Sequence, residues 1–228
     1  ILDREFLPTD HALLIPKTAD GRVLFAVPWL GKVILGTTDT PRHDLAREPL
    51  PFPEELDFIL GEAGKYLNRQ PTLADVRSMW VGLRPLVKPQ DDYGENTKKI
   101  SREHTVMASK TGLVTVTGGK WTTYRAMSED VLAECFQIGR LPSRPAGVTV
   151  NLPLVGAPAE AAVTHSMNQS QGLHSYGTDA AAVAALPGAQ NWLMDGLSEA
   201  MVRFAARFEY ARTVEDMLAR RSRLLFLD

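Results

Sequence analysis

Residues 11–41, HALLIPKTADGRVLFAVPWLGKVILGTTDTP, decide the fold of the first half of the chain. HALLIPKT and RVLFAVPW are short apolar runs, and between them stands Ala19-Asp20-Gly21, a turn sequence. Two such runs about a Gly-containing turn predict an antiparallel hairpin. Gly31 then leads into KVILGTTDTP as a third strand. Behind Pro53, the residues Leu56, Ile59, Leu60, Ala63 and Leu67 recur at helical spacing. Pro53 suits a first helical position, and Glu54 and Glu55 suit the positive end of a helix dipole. An amphipathic helix lying on a sheet is the expectation.

Outward from that stretch, VRSMWVGLRPLV, ISREHTVMAS and GLVTVTG read as further strands, with the polar segment KPQDDYGENTKK as a loop between the first two. Helical spacing returns at Thr122 (Tyr124, Met127, Val131, Leu132), and LPSRPAG then breaks the chain. Beyond Val163 the sequence is Ala-rich and helical in pieces, broken at Gly172, Gly177, Pro187-Gly188 and Gly196. The last helix pair, EAMVRFAARFEYA and TVEDMLARRSRLLF, meets at Arg212-Thr213, where Thr213 and Asp216 form a capping-box variant. The fold class expected is therefore α+β. Residues 1–143 form a mainly antiparallel sheet region with covering helices, and residues 144–228 a small all-α C-terminal domain.

Composition narrows the function classes. Among 228 residues, 25 Lys and Arg stand against 27 Asp and Glu, for a net charge of -2. Nothing in that balance draws a polyphosphate backbone, so no nucleic-acid partner is expected. The single Cys135 allows no intrachain disulfide and reads as a small buried apolar residue in a helix, and a cytoplasmic setting is the default. No apolar run approaches the roughly 20 residues of a membrane span. The opening ILDREFLPTD lacks the basic-then-apolar build of a signal peptide and a starting Met, so the chain reads as a piece of a longer protein.

The densest chemical signal is GLVTVTGGKWTTYRAM. A β-branched strand runs through Gly118-Gly119 directly into a helix, which presents free N–H groups at a strand end. Lys120 adds positive charge, and Thr122 and Thr123 add hydroxyls. The plain alternative is a strand-to-helix turn with a solvated lysine. It is not a phosphate-binding P-loop, because Val114 and Trp121 stand where that motif needs Gly and Ser or Thr. No G-x-G-x-x-G occurs either.

Three weaker signals accompany it. Arg84, in VGLRPLV, sits in a segment that reads as a buried strand; it either pairs with a carboxylate or points its planar fork at an anionic oxygen. Arg102, in ISREHTV, is either an exposed strand charge or a phosphate contact. Thr37, Thr38 and Asp39 close a strand after Gly36, as a hydrogen-bonded turn or as the lining of a cofactor pocket. Metal-ligand spacing is absent, with His11, His43, His104, His165 and His174 scattered, and no G-x-S-x-G nucleophile motif occurs. Trp29 and Trp80 read as core.

Taken together, FAVPWLGKVILGTTDTP, GLRPLV, ISREH and GGKWTTYR, in that order, resemble the FAD-dependent respiratory glycerol-3-phosphate dehydrogenases, and FEYARTVEDMLARRSRLLFLD resembles their C-terminal helical domain. The resemblance covers nearly the whole chain but only the later part of a family member, without the N-terminal FAD-binding segment. It implies oxidation of sn-glycerol 3-phosphate to dihydroxyacetone phosphate through FAD, with quinone as electron acceptor and peripheral contact at the inner face of the cytoplasmic membrane. Glycerol-3-phosphate oxidases, which use oxygen, share these motifs, and a homodimer is left open.

By the same resemblance Arg84 matches the active-site arginine of a G-x-R-P motif, Arg102 the arginine of an S-R-[ED]-[HY] motif, and Lys120 the lysine of the G-G-K loop beside the flavin. Gly118, Gly119, Trp121 and Thr122 belong to that loop, and Thr37, Thr38 and Asp39 to the cofactor surroundings. The family's active-site histidine falls before Ile1, so the general base is expected upstream, and these residues alone are expected to be inactive and to hold no FAD. Arg84, Arg102 and Lys120 are expected to converge at one end of the sheet. The rival from another class is a non-catalytic protein-interaction module.

Overall fold

The computed structural model describes residues 1–44, 46–84, 103–158 and 165–227. The strands are β1 (Leu2–Asp3), β2 (Leu13–Ile15), β3 (Leu24–Trp29) and β4 (Lys32–Gly36), followed by helix α1 (Pro53–Gly64). Then come β5 (His104–Ala108), β6 (Val114–Gly118) and helix α2 (Tyr124–Gln137). The C-terminal part holds α3 (Ala180–Ala184), β7 (Trp192–Met194), β8 (Leu197–Ser198) and α4 (Glu199–Phe208). Mixed helices and small antiparallel sheets make the chain α+β, as the sequence pattern predicts.

Compactness divides the chain into two units. Residues 1–40, 50–81 and 153–228 form one, and residues 41–49 and 82–152 the other. This grouping differs from the division expected near Ser143.

In the first unit, four antiparallel strands run in the order β1-β4-β3-β2. The predicted hairpin forms, with Leu13 opposite Ala26 and Ile15 opposite Leu24, and Gly21 takes the left-handed φ of 79° that its turn requires. Alternation along β3 sends Leu24 and Ala26 inward and leaves Phe25 half exposed. Helix α1 lays Leu60, Ala63 and the following Leu67 on that inner face, against Leu2, Phe6, Ile15 and Val33. At its start Glu55 accepts from the Phe52 N–H at 3.0 Å. The later cluster is separate: Val183, Leu197, Ala200, Met201, Ala205 and Met217 are buried together. The predicted Thr213 and Asp216 box is present, with the Thr213 N–H donating to Asp216 Oδ2 and the Asp216 N–H to Thr213 Oγ1, both at 3.0 Å.

Four expectations are corrected. Residues 76–84 lie in no strand; instead the Arg77 N–H donates to Ile1 O at 2.9 Å and the Ile1 ammonium to Ser78 O at 2.8 Å, two bonds rather than a ladder. Trp80 is 51% exposed, resting beside Trp29 and Phe226 with ring centroids 6.4 and 5.0 Å away, and is not core. Cys135 is half-buried, because α2 has no fully buried residue. The expected helical C-terminal region also carries the short antiparallel β7-β8 ladder.

Asp3 ties the extended segment to the sheet, bonded to Arg77 at 2.5 Å and to Lys32 at 2.8 Å. The Arg77 bond, followed by the Lys32 bond, holds its carboxyl down at about 2. A carboxylate depressed in the folded state stabilises above its ordinary value and loses that contribution as pH falls. Between about pH 4 and pH 2, Asp3→Asn should therefore flatten the acid loss of stability. The effect should stay under about 1 kcal/mol because a third of the side chain faces solvent and is screened. Urea midpoints of the two proteins across that range check it.

Candidate active-site turn

The second unit is built on the β5-β6 hairpin, paired from His104 opposite Gly118 to Ala108 opposite Val114. Its end is where chemistry can sit. After β6 the backbone passes through Gly118 and Gly119 at φ 76° and 78°, two consecutive left-handed residues, a conformation that side-chain-bearing residues resist. Space adds a second reason at Gly119, where a Cβ would lie 2.6 Å from Met127 Sδ and 3.1 Å from His104 Cβ.

Lys120 follows in extended conformation and starts the 3-10 turn Trp121–Thr123, which runs on into α2. Thr123 closes this start by donating its hydroxyl to Lys120 O at 2.9 Å and donating its N–H to the same oxygen at 3.0 Å. The first N–H groups of such a turn have no intrahelical acceptor and add partial positive charge to that of Lys120. The Lys120 side chain is exposed, and no carboxylate among the described residues pairs with it. Beside it Trp121 is 87% exposed and stacks on Tyr124, centroids 5.6 Å apart and planes 26° apart.

Helix α2 covers the hairpin and fixes the turn from beneath. Asp130 Oδ2 lies 2.6 Å from His104 Nε2, linking the second turn of α2 to the end of β5. Further along, Arg125 and Glu129 pair at 3.1 Å, and both bond the Thr149 hydroxyl. The Thr149 bond, ahead of the Arg125 charge, lowers the Glu129 carboxyl below its ordinary range despite some desolvation.

The predicted site residues fall in four groups. Gly118, Gly119, Lys120, Trp121 and Thr122 stand together at this turn. Arg84 belongs to the same unit, but its side chain is exposed and the buried strand expected around it is not formed by the described residues. Arg102 lies outside the described residues, so the expected convergence of Arg84, Arg102 and Lys120 does too. Thr37, Thr38 and Asp39 belong to the first unit, where they follow β4 in irregular backbone. Thr37 donates to Thr38 O at 3.2 Å and Thr40 to Glu55 at 2.7 Å. Burial would raise the Glu55 carboxyl, but the Phe52 N–H and the Thr40 and Thr38 hydroxyls outweigh it and lower it.

Two clefts of the first unit, of about 200 and 320 Å³, are lined by none of the residues chosen from sequence. Among the described residues no cluster of three or more metal-ligating side chains occurs, and no helix is long and apolar enough to cross a membrane. What sequence reading missed is the His104 and Asp130 pair. The available signal was positional, since His104 is the strand partner of Gly118, and Met127 and Asp130 are three apart on one helix face.

A strand-to-helix turn carrying glycines and a lysine meets its family here. The sequence model described as FAD dependent oxidoreductase matches residues 3–125, and the chain belongs to that family. A second model, the C-terminal domain of alpha-glycerophosphate oxidase, matches residues 147–228. The chain is 36% identical to a mitochondrial glycerol-3-phosphate dehydrogenase of Arabidopsis thaliana, covering 100% of this chain and 40% of that protein. It is 38% identical to the mitochondrial glycerol-3-phosphate dehydrogenase of Homo sapiens, covering 98% and 33%. The solved glycerol-3-phosphate dehydrogenase of Bacillus halodurans, complexed with FAD, matches with a TM-score of 0.72 and 25% identity over 99% of this chain and 47% of that one. The chain thus spans less than half the length of these relatives.

Proposed function

We propose that this chain is the later part of a flavoprotein that oxidises sn-glycerol 3-phosphate to dihydroxyacetone phosphate. The observation that carries the reading is the bare Gly118-Gly119-Lys120 turn within the 3–125 family match. The matches at 147–228 and among full-length glycerol-3-phosphate dehydrogenases support the substrate. They also speak against a non-catalytic interaction module. The same matches, ending at 125 and resuming at 147, together with the two separate buried clusters, support a division into domains 1–143 and 144–228.

The turn fits the edge of a flavin. Two residues without side chains let an aromatic ring system approach the backbone, and the first N–H groups of Trp121 and Thr122 with Lys120 suit its electron-rich atoms. FAD, when bound, supplies the acceptor for the substrate's C2 hydrogen and its electron pair. Within this chain, Lys120 stabilises negative charge at the reacting end, Arg84 holds the substrate oxygen beside it, and Arg102 grips the phosphate. Thr37, Thr38 and Asp39 are assigned to the cofactor surroundings on the motif match.

Quinone is the acceptor we favour, because the full-length relatives are named dehydrogenases. A cytoplasmic setting, peripheral at the inner face of the membrane, rests on the motif resemblance alone, since the relatives named here are mitochondrial. Oxygen is the second reading, favoured by the oxidase named in the C-terminal match. Expression of the complete reading frame tests the whole proposal. A flavin absorbance band that bleaches anaerobically on addition of glycerol 3-phosphate is expected, with reoxidation by a quinone analogue. An unchanged spectrum would sink the substrate assignment, and rapid peroxide formation in air would exchange the acceptors.

A further inference from the structure

The side-chain pair beneath the glycine turn is used by nothing described so far. His104 and Asp130 are 26 positions apart, on β5 and α2, and meet at 2.6 Å. The His104 side chain is 22% exposed and that of Asp130 57%, so a large part of the carboxylate's hydration is kept while the imidazole is mostly covered. An isolated, half-solvated ion pair would contribute little to stability. Its location gives it a different role.

Three contacts place it. His104 is the strand partner of Gly118, so its backbone sets the position from which the chain leaves the hairpin. The His104 Cβ bounds one side of Gly119, at 3.1 Å from where a Cβ there would be, and Met127 bounds another side at 2.6 Å. Met127 and Asp130 lie three residues apart on α2, so the same helix face that presses Met127 against Gly119 presents Asp130 to His104. The turn carrying Lys120 is therefore held between a helix and a strand, and the side-chain link fastening helix to strand at that level is His104 to Asp130. Lys120 itself is exposed and takes no support from a carboxylate partner among the described residues. Among the described residues, what places its ammonium is the backbone of the turn.

We propose that His104 and Asp130 are a positioning pair that fixes the Gly118-Gly119-Lys120 turn and acts on the reaction through Lys120. The inference rests on the proposed role of Lys120 and deepens it. Neither side chain touches substrate in this account. The imidazole Nε2 and the carboxylate Oδ2 share one proton-mediated bond, and its loss lets α2 and β5 separate at the turn. Misplacing a charge-stabilising group by about 1 Å is enough to cost up to 10²-fold in rate.

The experiment uses the flavin-loaded full-length enzyme and steady-state kinetics with glycerol 3-phosphate. His104→Ala and Asp130→Ala should each lower kcat about tenfold, with KM changed less than about twofold, since a turn acting on developing charge affects the chemical step. The double variant should be no slower than either single one, because the two residues form one bond. His104→Gln, whose amide nitrogen can reach the place of Nε2, and Asp130→Asn, which keeps an acceptor oxygen, should recover kcat to within about threefold of the parent.

The deciding measurement is His104→Ala in a Lys120→Ala background. There it should change kcat less than about twofold, whereas a merely structural residue would impose its full loss again. Equal losses in both backgrounds overturn the proposal, as do additive effects of His104→Ala and Asp130→Ala. If Lys120→Ala alone leaves kcat intact, the underlying role of Lys120 fails instead, and the two failures are distinguishable. Should His104→Ala not fold, the solvent-facing Asp130→Ala carries the same comparisons.

Discussion

Lys120→Ala in the flavin-loaded full-length enzyme should lower turnover about 10² to 10³-fold, the cost of removing a donor aimed at developing charge. Arg84→Ala should behave alike, and Arg102→Ala should chiefly raise KM. The reasoning follows where charge changes during the reaction. The substrate's phosphate keeps its charge from ground state to transition state, so a phosphate contact is uniform binding. Charge develops at the C2 oxygen and across the cofactor, so groups there act on the chemical step. The exposed Lys120 at the helix start, with no carboxylate partner among the described residues, suits the second role. Kinetics on the three variants decide the assignment. If Arg102→Ala lost turnover at saturating substrate while Lys120→Ala raised only KM, the two roles would be exchanged.

The largest effect on stability is expected at Gly177. It holds a left-handed φ of 56°, and a Cβ there would stand 1.9 Å from the Gly156 carbonyl oxygen. That oxygen is backbone and already accepts from the Thr178 N–H at 2.8 Å, so it cannot retreat without breaking a bond. Gly156 is constrained in return, at φ 80° and with Tyr176 O 2.8 Å from where a Cβ would stand. Gly177→Ala should cost at least about 3 kcal/mol, at the upper end of what single substitutions do. Gly139→Ala is the control, for φ there is 70° but nothing lies within 4 Å of the added Cβ. Only the conformational term of about 1 kcal/mol remains at Gly139. Chemical denaturation of the two variants should separate them clearly, and equal costs would remove the steric argument.

How much was legible depended on the range of the interaction. The hairpin about Gly21, helix α1 and the strand-turn-helix at Gly118-Gly119 are written in local periodicity and turn residues, and all three form. Residues 76–84 read as an apolar strand, yet apolar character cannot say whether a partner is present, and beside Ile1 two backbone bonds are made among the described residues. The β7-β8 ladder turns on Asp195-Gly196, with Gly196 at φ 72°. Asp-Gly is a strong hairpin signal, but an Ala-rich neighbourhood drew the reading toward helix. At the site, the glycines and Lys120 were readable from one short segment. The partner of His104 was not, because Asp130 reaches it only once α2 has packed over the hairpin.

The first unit draws on both ends of the chain but does not possess one continuous interior. Its sheet cluster, from Leu2 to Leu67, and its helical cluster, from Val183 to Met217, share no buried side chain among the described residues. Among the described residues, they are linked by the Leu30 N–H to Met167 O at 2.8 Å, Asn168 to Asp10 at 3.1 Å, the Ser78 hydroxyl to Phe226 O at 2.5 Å, and the Trp80 and Phe226 rings. Cooperativity travels through shared apolar burial, and a few hydrogen bonds transmit little of it. The sheet layer can therefore close as soon as its own residues are made, long before Phe226 leaves the ribosome. Heat or denaturant meets two melting bodies held by a seam, for which one midpoint temperature is not a well-defined quantity.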